Sequence, residues 1–303
     1  MKQKLLVLFI ACSLLTYAQQ EPQYTQYMYN MSMVNPGYMI NEPGIVQVGS
    51  LYRTQWVGID GAPKTANVFA HIPINDRIEL SVNYLNDNIG GNVNLSENVF
   101  NVDAAYKIKL NNSLNLSFGV KAGFDHLNLS AIGSNVIGDS AFGNTSKTML
   151  NIGAGVFLFD DNYYAGISTP NLIPSNLGIN DEVVYNDKAH LFLIGGYVFD
   201  INDDFKLKPS TVLKLVGGAP LSFDVSANVL YLNRFELGAS YRYQNAVSGL
   251  VGIHVTPNLR LGYAYDLNTS ELQTYNNGSH EFIILYKFDV LGLSKKYSSP
   301  RFY

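Results

Sequence analysis

Cysteine and tryptophan are almost missing from this chain, and charge is scarce. The one cysteine among 303 residues, Cys12, sits in an amino-terminal apolar stretch that reads as an export signal. Lys2 and Lys4 give its positive start and Leu5 to Leu15 its apolar centre, and Thr16-Tyr17-Ala18 ends it with small residues at −3 and −1 of a cleavage site. Apolar Leu14 and Leu15 after Cys12 argue against a lipid-modified cysteine. Loss of residues 1–18 leaves a mature chain starting at Gln19, without cysteine. A disulfide, a thiolate metal site and a cysteine nucleophile are thereby excluded. Charged residues make up 15% of the chain, and 20 basic against 24 acidic side chains leave a net charge of −4. That balance lacks the basic stripe of a nucleic-acid binder, so no nucleic-acid partner is expected. Beyond the signal, the longest run of apolar residues and glycine is Leu191–Phe199. It is well short of the ~18 residues that a spanning helix needs.

What is abundant is tyrosine, 21 residues, and phenylalanine, 16, in stretches that alternate with a period of two. Phe223, Val225, Ala227, Val229 and Tyr231 oppose Asp224, Ser226 and Asn228; Phe235, Leu237, Ala239 and Tyr241 oppose Glu236, Gly238, Ser240 and Arg242. Ile78–Tyr84, Leu116–Val120 and Leu259–Tyr265 repeat the pattern. The alternation predicts strands near 45–56, 65–74, 78–88, 95–109, 113–126, 148–160, 163–169, 188–201, 205–216, 221–231, 234–243, 247–255, 258–267 and 279–288. A soluble sandwich also alternates, but the connections separate the two. Every second connection is a tight polar turn (Asn75-Asp76, Asn111-Asn112, Asp161-Asn162, Asn202-Asp203-Asp204, Leu232-Asn233, Pro257-Asn258), whereas those between include long segments at 127–147, 170–187 and 268–278. An even strand count, with short turns on one side and long loops on the other, predicts an all-β fold, a transmembrane antiparallel β-barrel of about fourteen strands in the outer membrane, surrounded by lipid.

The last strand ends Tyr286-Lys287-Phe288, similar to the signal by which barrel-assembly machinery recognises its clients. That puts the carboxy-terminal end and all the short turns in the periplasm. The expected organisation is therefore a signal peptide at 1–18, a periplasmic or lumenal segment at 19–44, a barrel at 45–288 and a periplasmic tail at 289–303.

Catalytic chemistry finds no support in the motifs. His71, His126, His190, His254 and His280 fall in no zinc-ligand spacing, and the chain has neither a GxSxG elbow nor a P-loop. The Gly153-Ala154-Gly155 pair fits tight strand packing rather than phosphate binding, and Asp200, Asp203 and Asp204 fit a hairpin turn rather than calcium. No metal, cofactor or catalytic residue is expected. Lumenal Lys121, Lys214, Arg242 and Arg260 either tune ion passage or pair with Glu79, Asp224 and Glu236 to fill a narrow interior. The Asp139-Ser140-Ala141 triplet is a weak O-glycosylation pattern.

Several stretches carry more than composition. They are Glu21-Pro22-Gln23-Tyr24-Thr25-Gln26-Tyr27, Asn35-Pro36-Gly37-Tyr38, Arg53-Thr54-Gln55-Trp56 with Gly61-Ala62-Pro63-Lys64-Thr65, Tyr263-Ala264-Tyr265-Asp266, Gly278-Ser279-His280-Glu281 and Ser299-Pro300-Arg301-Phe302-Tyr303. Together they resemble the PorP/SprF family of outer-membrane proteins linked to type IX secretion in Bacteroidota. Gly37-Tyr38-Met39-Ile40 departs from the family's usual Ala-Phe-Ala-Gly, and Ser299 stands where a cysteine is frequent. The resemblance implies a non-enzymatic role in secretion or surface anchoring of a cargo protein, often an adhesin, through its type IX C-terminal domain, in some members supporting gliding motility. It also singles out Asn35, Pro36, Arg53, Gln55, Trp56, Gly61, Ala62, Pro63, Tyr263, Tyr265, Asp266, His280 and Glu281 as structural or partner-binding. The loops at 127–147 and 170–187, with apolar Ile132, Ile137, Phe142, Leu172 and Ile173 among polar residues, are candidate cargo-docking surfaces or a lid over the lumen. Residues 19–44 and the basic tail (Lys295, Lys296, Arg301) could meet periplasmic or peptidoglycan-associated secretion components. The rival expectation is a porin or FadL-like channel for small or hydrophobic molecules.

Overall fold

The computed structural model describes residues 23–91, 93–131, 144–179 and 182–290. Its strands are β1 Ile45–Thr54, β2 Lys64–Pro73, β3 Ile78–Gly90, β4 Val93–Lys109, β5 Asn115–Ala131, β6 Thr145–Phe159, β7 Tyr163–Thr169, β8 Ser175–Ile179, β9 Glu182–Asp187, β10 His190–Tyr197, β11 Phe199–Asp200, β12 Phe205–Val216, β13 Ser222–Tyr231, β14 Phe235–Arg242, β15 Ala246–Thr256, β16 Leu259–Asn268 and β17 Ser279–Asp289. β10 and β11 form one stave broken at Val198, and β8 pairs only with β9. The wall therefore has fourteen staves, all antiparallel. It closes where β1 meets β17, from Ile45↔Asp289 to Thr54↔His280. Closure leaves the sheet no edge, as hydrocarbon requires.

The burial pattern is inside-out relative to a soluble sheet. Along β13 the polar Asp224, Ser226 and Asn228 are buried, while Val225, Val229 and Tyr231 are exposed. In water this arrangement would expose a large apolar surface for nothing; against lipid tails it is the favourable one. Aromatic pairs mark both rims of the apolar band. Phe205–Tyr231 and Tyr286–Phe288 stand near the short turns, and Phe100–Phe124 and Phe223–Tyr243 near the long loops. These are the girdles that sit at the two membrane interfaces.

Each strand window predicted from alternation holds a stave, but β4, β5 and β6 run further toward the outside than expected. The outward-facing positions of these extensions (Asn94, Asn128, Ser130, Ser146) are polar, so the apolar signal on the lipid side fades as the strands leave the hydrocarbon. The 170–187 connection is also more regular than expected, since it contains the β8–β9 hairpin.

A larger difference lies inside. Alternation predicts a polar lumen, yet the main apolar core of the molecule is in the lumen. Tyr27, Met28, Tyr29, Met31, Tyr38 and Ile40 pack against the inward-facing Leu51, Phe69, Phe157, Phe159, Tyr164, Ile194, Ile283 and Leu285. Of the two placements open for residues 19–44, the described part takes the lumen. Two 3-10 turns, Tyr27–Tyr29 and Met31–Met33, form its centre, and Thr25–Ser32 and Asn35–Ile40 are buried. This is a plug with its own apolar side chains, and it needs an apolar wall to pack on.

Candidate functional site: a clasped plug beneath an outer vestibule

The plug rests on gaps left by glycine. Asn35, fully buried, accepts the Gly37 N–H at 2.8 Å and donates to the Val156 carbonyl at 3.0 Å. A Cβ on Gly119 would lie 2.1 Å from the Pro36 carbonyl oxygen, and one on Gly155 would lie 2.2 Å from Asn35 Oδ1. Gly155 thus serves close packing, as expected of the Gly153–Gly155 pair.

Polar clasps hold the plug along its length. Near the outer end, Arg53 Nη2 meets Asp266 at 2.7 Å and Nη1 meets Glu281 at 3.1 Å. Glu281 accepts the backbone N–H groups of Thr25 (3.0 Å) and Gln26 (2.7 Å), and the Thr25 hydroxyl donates to Asp266 at 2.7 Å. Strand register brings these groups together, because Arg53 lies opposite Glu281 across the β1–β17 closure and Asp266 is on the neighbouring β16. A second clasp joins Arg260 to Glu236 at 2.7 Å; the Tyr29 phenol donates to the same carboxylate, and its ring lies under the Arg260 guanidinium at 3.5 Å. In the middle, Asn30 donates to Asn67 and Asn83 at 2.9 and 3.0 Å, and Lys121 donates to the Ser32 carbonyl at 3.0 Å. At the periplasmic mouth the Ile40 N–H meets Glu79 at 2.9 Å, Lys107 bonds Asn41, and Lys287 pairs with Glu42 at 2.8 Å.

The two readings of the lumenal cations can now be compared. Arg242 forms a fork with Asp224 (3.1 and 2.8 Å) and Arg260 pairs with Glu236, as the filling reading expects. Lys121 lies 3.7 Å from Asp103, not near Glu79, which instead receives the plug backbone.

The residues singled out from the sequence fall into distinct places. Asn35 and Pro36 belong to the plug, and Arg53, Asp266 and Glu281 to its outer clasp. Gln55, Trp56, Gly61, Ala62 and Pro63 make the outer β1–β2 loop. There the Gln55 N–H bonds the Pro63 carbonyl (3.0 Å), Trp56 N–H the Ser279 hydroxyl (3.2 Å), and Val57 N–H the Gly278 carbonyl (2.9 Å). Gly61, at φ +73°, accepts the Gly90 N–H at 2.8 Å, and a Cβ there would be 2.7 Å from the Gly90 backbone. Tyr263 and Tyr265 lie on the outer face of the wall beside His280, with the Tyr263 hydroxyl 2.7 Å from His280 Nδ1. Leu172 and Ile173 are exposed just after β7, whereas Ile132, Ile137 and Phe142 lie outside the described residues. The plug residues Tyr29, Asn30 and Ser32 escaped the sequence reading, and Thr25 and Gln26 entered it only within the stretch 21–27, with no role assigned.

The direction of the plug is also defined. Gln23 reaches Ser222, at the outer end of β13, while Glu42 meets Lys287 at the other end of the barrel. From Gln23 to Glu42 the chain therefore runs down the lumen from outer vestibule to periplasm. In cells carrying the chain with Cys12→Ser, Gln23→Cys is expected to react with a membrane-impermeant maleimide from outside. Glu42→Cys is expected to react only after permeabilisation, and the reverse result would refute this direction.

Above the plug, the outer half of the lumen opens into a vestibule with a cavity of about 150 Å³. Fold and site together define a plugged, fourteen-stave outer-membrane barrel. A profile of the type IX secretion system membrane protein family PorP/SprF matches residues 16–286. The chain belongs to that family, and its place is the outer membrane. None of the curated proteins matches it by sequence. Among solved structures, a Pseudomonas aeruginosa FadL homologue is 12% identical, with 90% of this chain and 96% of that one covered and a TM-score of 0.54. The CymD monoaromatic hydrocarbon channel is 11% identical (87% and 92% covered, TM-score 0.53), and the Ralstonia pickettii toluene transporter TbuX also 11% (84% and 92%, TM-score 0.51). At this identity the similarity shows the barrel fold alone.

Proposed function

We propose that this protein serves type IX secretion as a non-enzymatic anchor, holding a cargo protein at the cell surface through the cargo's C-terminal domain. The observation that carries this reading is the occupied lumen. With a plug clasped at both ends and packed on a buried apolar core, the lumen is closed to free passage at rest, which fits a holding role better than that of an open pore. Family membership supports a secretion partner in general terms. The outer loops, Leu172 and Ile173 among them, are the surfaces assigned to cargo, and the tail 289–303 to a periplasmic or peptidoglycan-associated component. Gln55, Trp56, Gly61, Ala62 and Pro63 are assigned to bracing the outer rim that carries those loops. Replacing residues 134–145 with a short linker is expected to lower cargo retention on intact cells severalfold at unchanged barrel abundance. Full retention would count against docking through that loop.

A channel for small or hydrophobic molecules is the second reading. It draws on the apolar vestibule and on the fold shared with hydrocarbon channels. Steady conductance of the unmodified protein in planar bilayers would favour it, and silence favours the anchor.

A further inference from the structure

The vestibule has a character that the wall pattern does not foretell. Inward positions at this height are mostly amides and charges, yet Leu85, Val99, Phe192 and Val212 also face the cavity. Leu85 lies directly opposite Val99 in the β3–β4 register, so their side chains form one continuous apolar patch. The floor is the plug itself, through Tyr27, Met33 and Val34. Of the cations that line the cavity, two are ion-paired and Lys214 stands over the Phe192 ring at 5.8 Å. Arg242 forks onto Asp224, and Lys121 is committed to Asp103 and to the plug carbonyls of Ser32 and Met33. Tyr24 also borders the cavity, and its buried hydroxyl has no hydrogen-bond partner among the described residues.

We propose that the vestibule is a receptor pocket for one aromatic or branched aliphatic side chain of an extended peptide arriving from outside the cell. A cavity of about 150 Å³ lined in this way has room for one benzene-sized group. Arg242 and Lys121 are ion-paired, so the apolar patch is the feature the cavity offers a guest, and the plug lies directly beneath it. Asn101 and Asn151, joined at 3.0 Å, together with Asn171, place amides around the apolar patch. Such amides suit the backbone flanking an inserted side chain, and the Tyr24 hydroxyl supplies a further polar contact. The proposal concerns the purified protein and does not depend on the anchoring reading, so its failure would leave cell-surface retention to be judged by the loop replacement.

The test is saturation-transfer NMR on the full mature protein in micelles, with the peptide Ac-Gly-Phe-Gly-NH2 as probe and Ac-Gly-Asp-Gly-NH2 as blank. The Phe peptide is expected to give a saturable signal and the Asp peptide none. Val99→Phe and Val212→Phe, two independent ways to fill the pocket, are each expected to weaken binding by roughly tenfold or more. Val68→Phe, on the lipid face, is expected to leave it unchanged and so controls for uptake into the detergent. Toluene that competes with the peptide would support a shared apolar pocket. A Phe-peptide signal no stronger than the blank, a signal indifferent to both filling variants, or binding of toluene without the peptide would overturn the proposal.

Discussion

Arg53→Leu is expected to be the most damaging single substitution in the lumen. It removes the cation shared by Asp266 and Glu281, both almost fully buried, and leaves the two carboxylates with no directly bonded counter-charge, the nearby Arg242 being forked onto Asp224. Breaking a buried pair from one side costs about 3–5 kcal/mol. Here the loss also loosens the N–H groups of Thr25 and Gln26 that Glu281 receives. Glu281→Gln should be milder, about 1–3 kcal/mol, because the amide oxygen still accepts and Arg53 keeps Asp266. Arg53→Lys should fall between the two, since an ammonium keeps the charge but cannot reach both carboxylates as a fork does. Urea unfolding of the refolded barrel checks the order. If Arg53→Leu unfolds at the wild-type urea concentration, the clasp contributes nothing.

Removal of the plug is expected to have the largest effect on permeability. Fourteen strands enclose more space than an eight-stranded barrel, whose side chains fill it, and less than a sixteen-stranded porin. Whether the lumen conducts therefore depends on what occupies it. Deletion of residues 25–40 is expected to turn a silent barrel into a steadily conducting one in planar bilayers. Because the deletion also exposes Phe69, Phe157 and Ile283 to water, it risks failing to assemble. Gly119→Val provides the same test with the plug still present. Its Cβ alone would meet the Pro36 carbonyl at 2.1 Å, backbone against side chain, so plug or strand must move. Conductance is then expected in bursts rather than as a steady level. An unmodified protein that conducts as freely as the deletion variant would contradict the plug's role.

These two expectations concern features that were legible in the sequence to very different degrees. The strand windows were readable because the pleat places successive side chains on opposite faces, so each strand displays its own two-sidedness within a few residues. The turns were readable because asparagine and aspartate cap tight turns through their own side chains, again a local effect. Arg53, Asp266 and Glu281 stood out only as parts of a family resemblance. Arg53 and Glu281 are 228 positions apart, and nothing in the spacing says that they touch. The apolar lumen was misjudged for a similar reason. Phe69, Phe157 and Ile283 sit at inward positions that the alternation assigns to water, and the plug that dries them lies at the other end of the sequence or far along it.

The sequence by itself determined that the chain is exported, that it forms a closed wall of fourteen staves with short turns facing the periplasm, and that one side of the wall meets lipid. Export follows from the amino-terminal signal segment, the side of the short turns from the pattern of the last strand, and the wall itself from period-two alternation and turn chemistry, all of which act between near neighbours. Only the tertiary structure decided that the lumen is filled, that the plug runs from the outer vestibule down to the periplasmic mouth, and that a pocket remains above it. Those depend on which side chains meet once the first strand closes on the last, and that meeting is set by register around the whole barrel rather than by any local pattern.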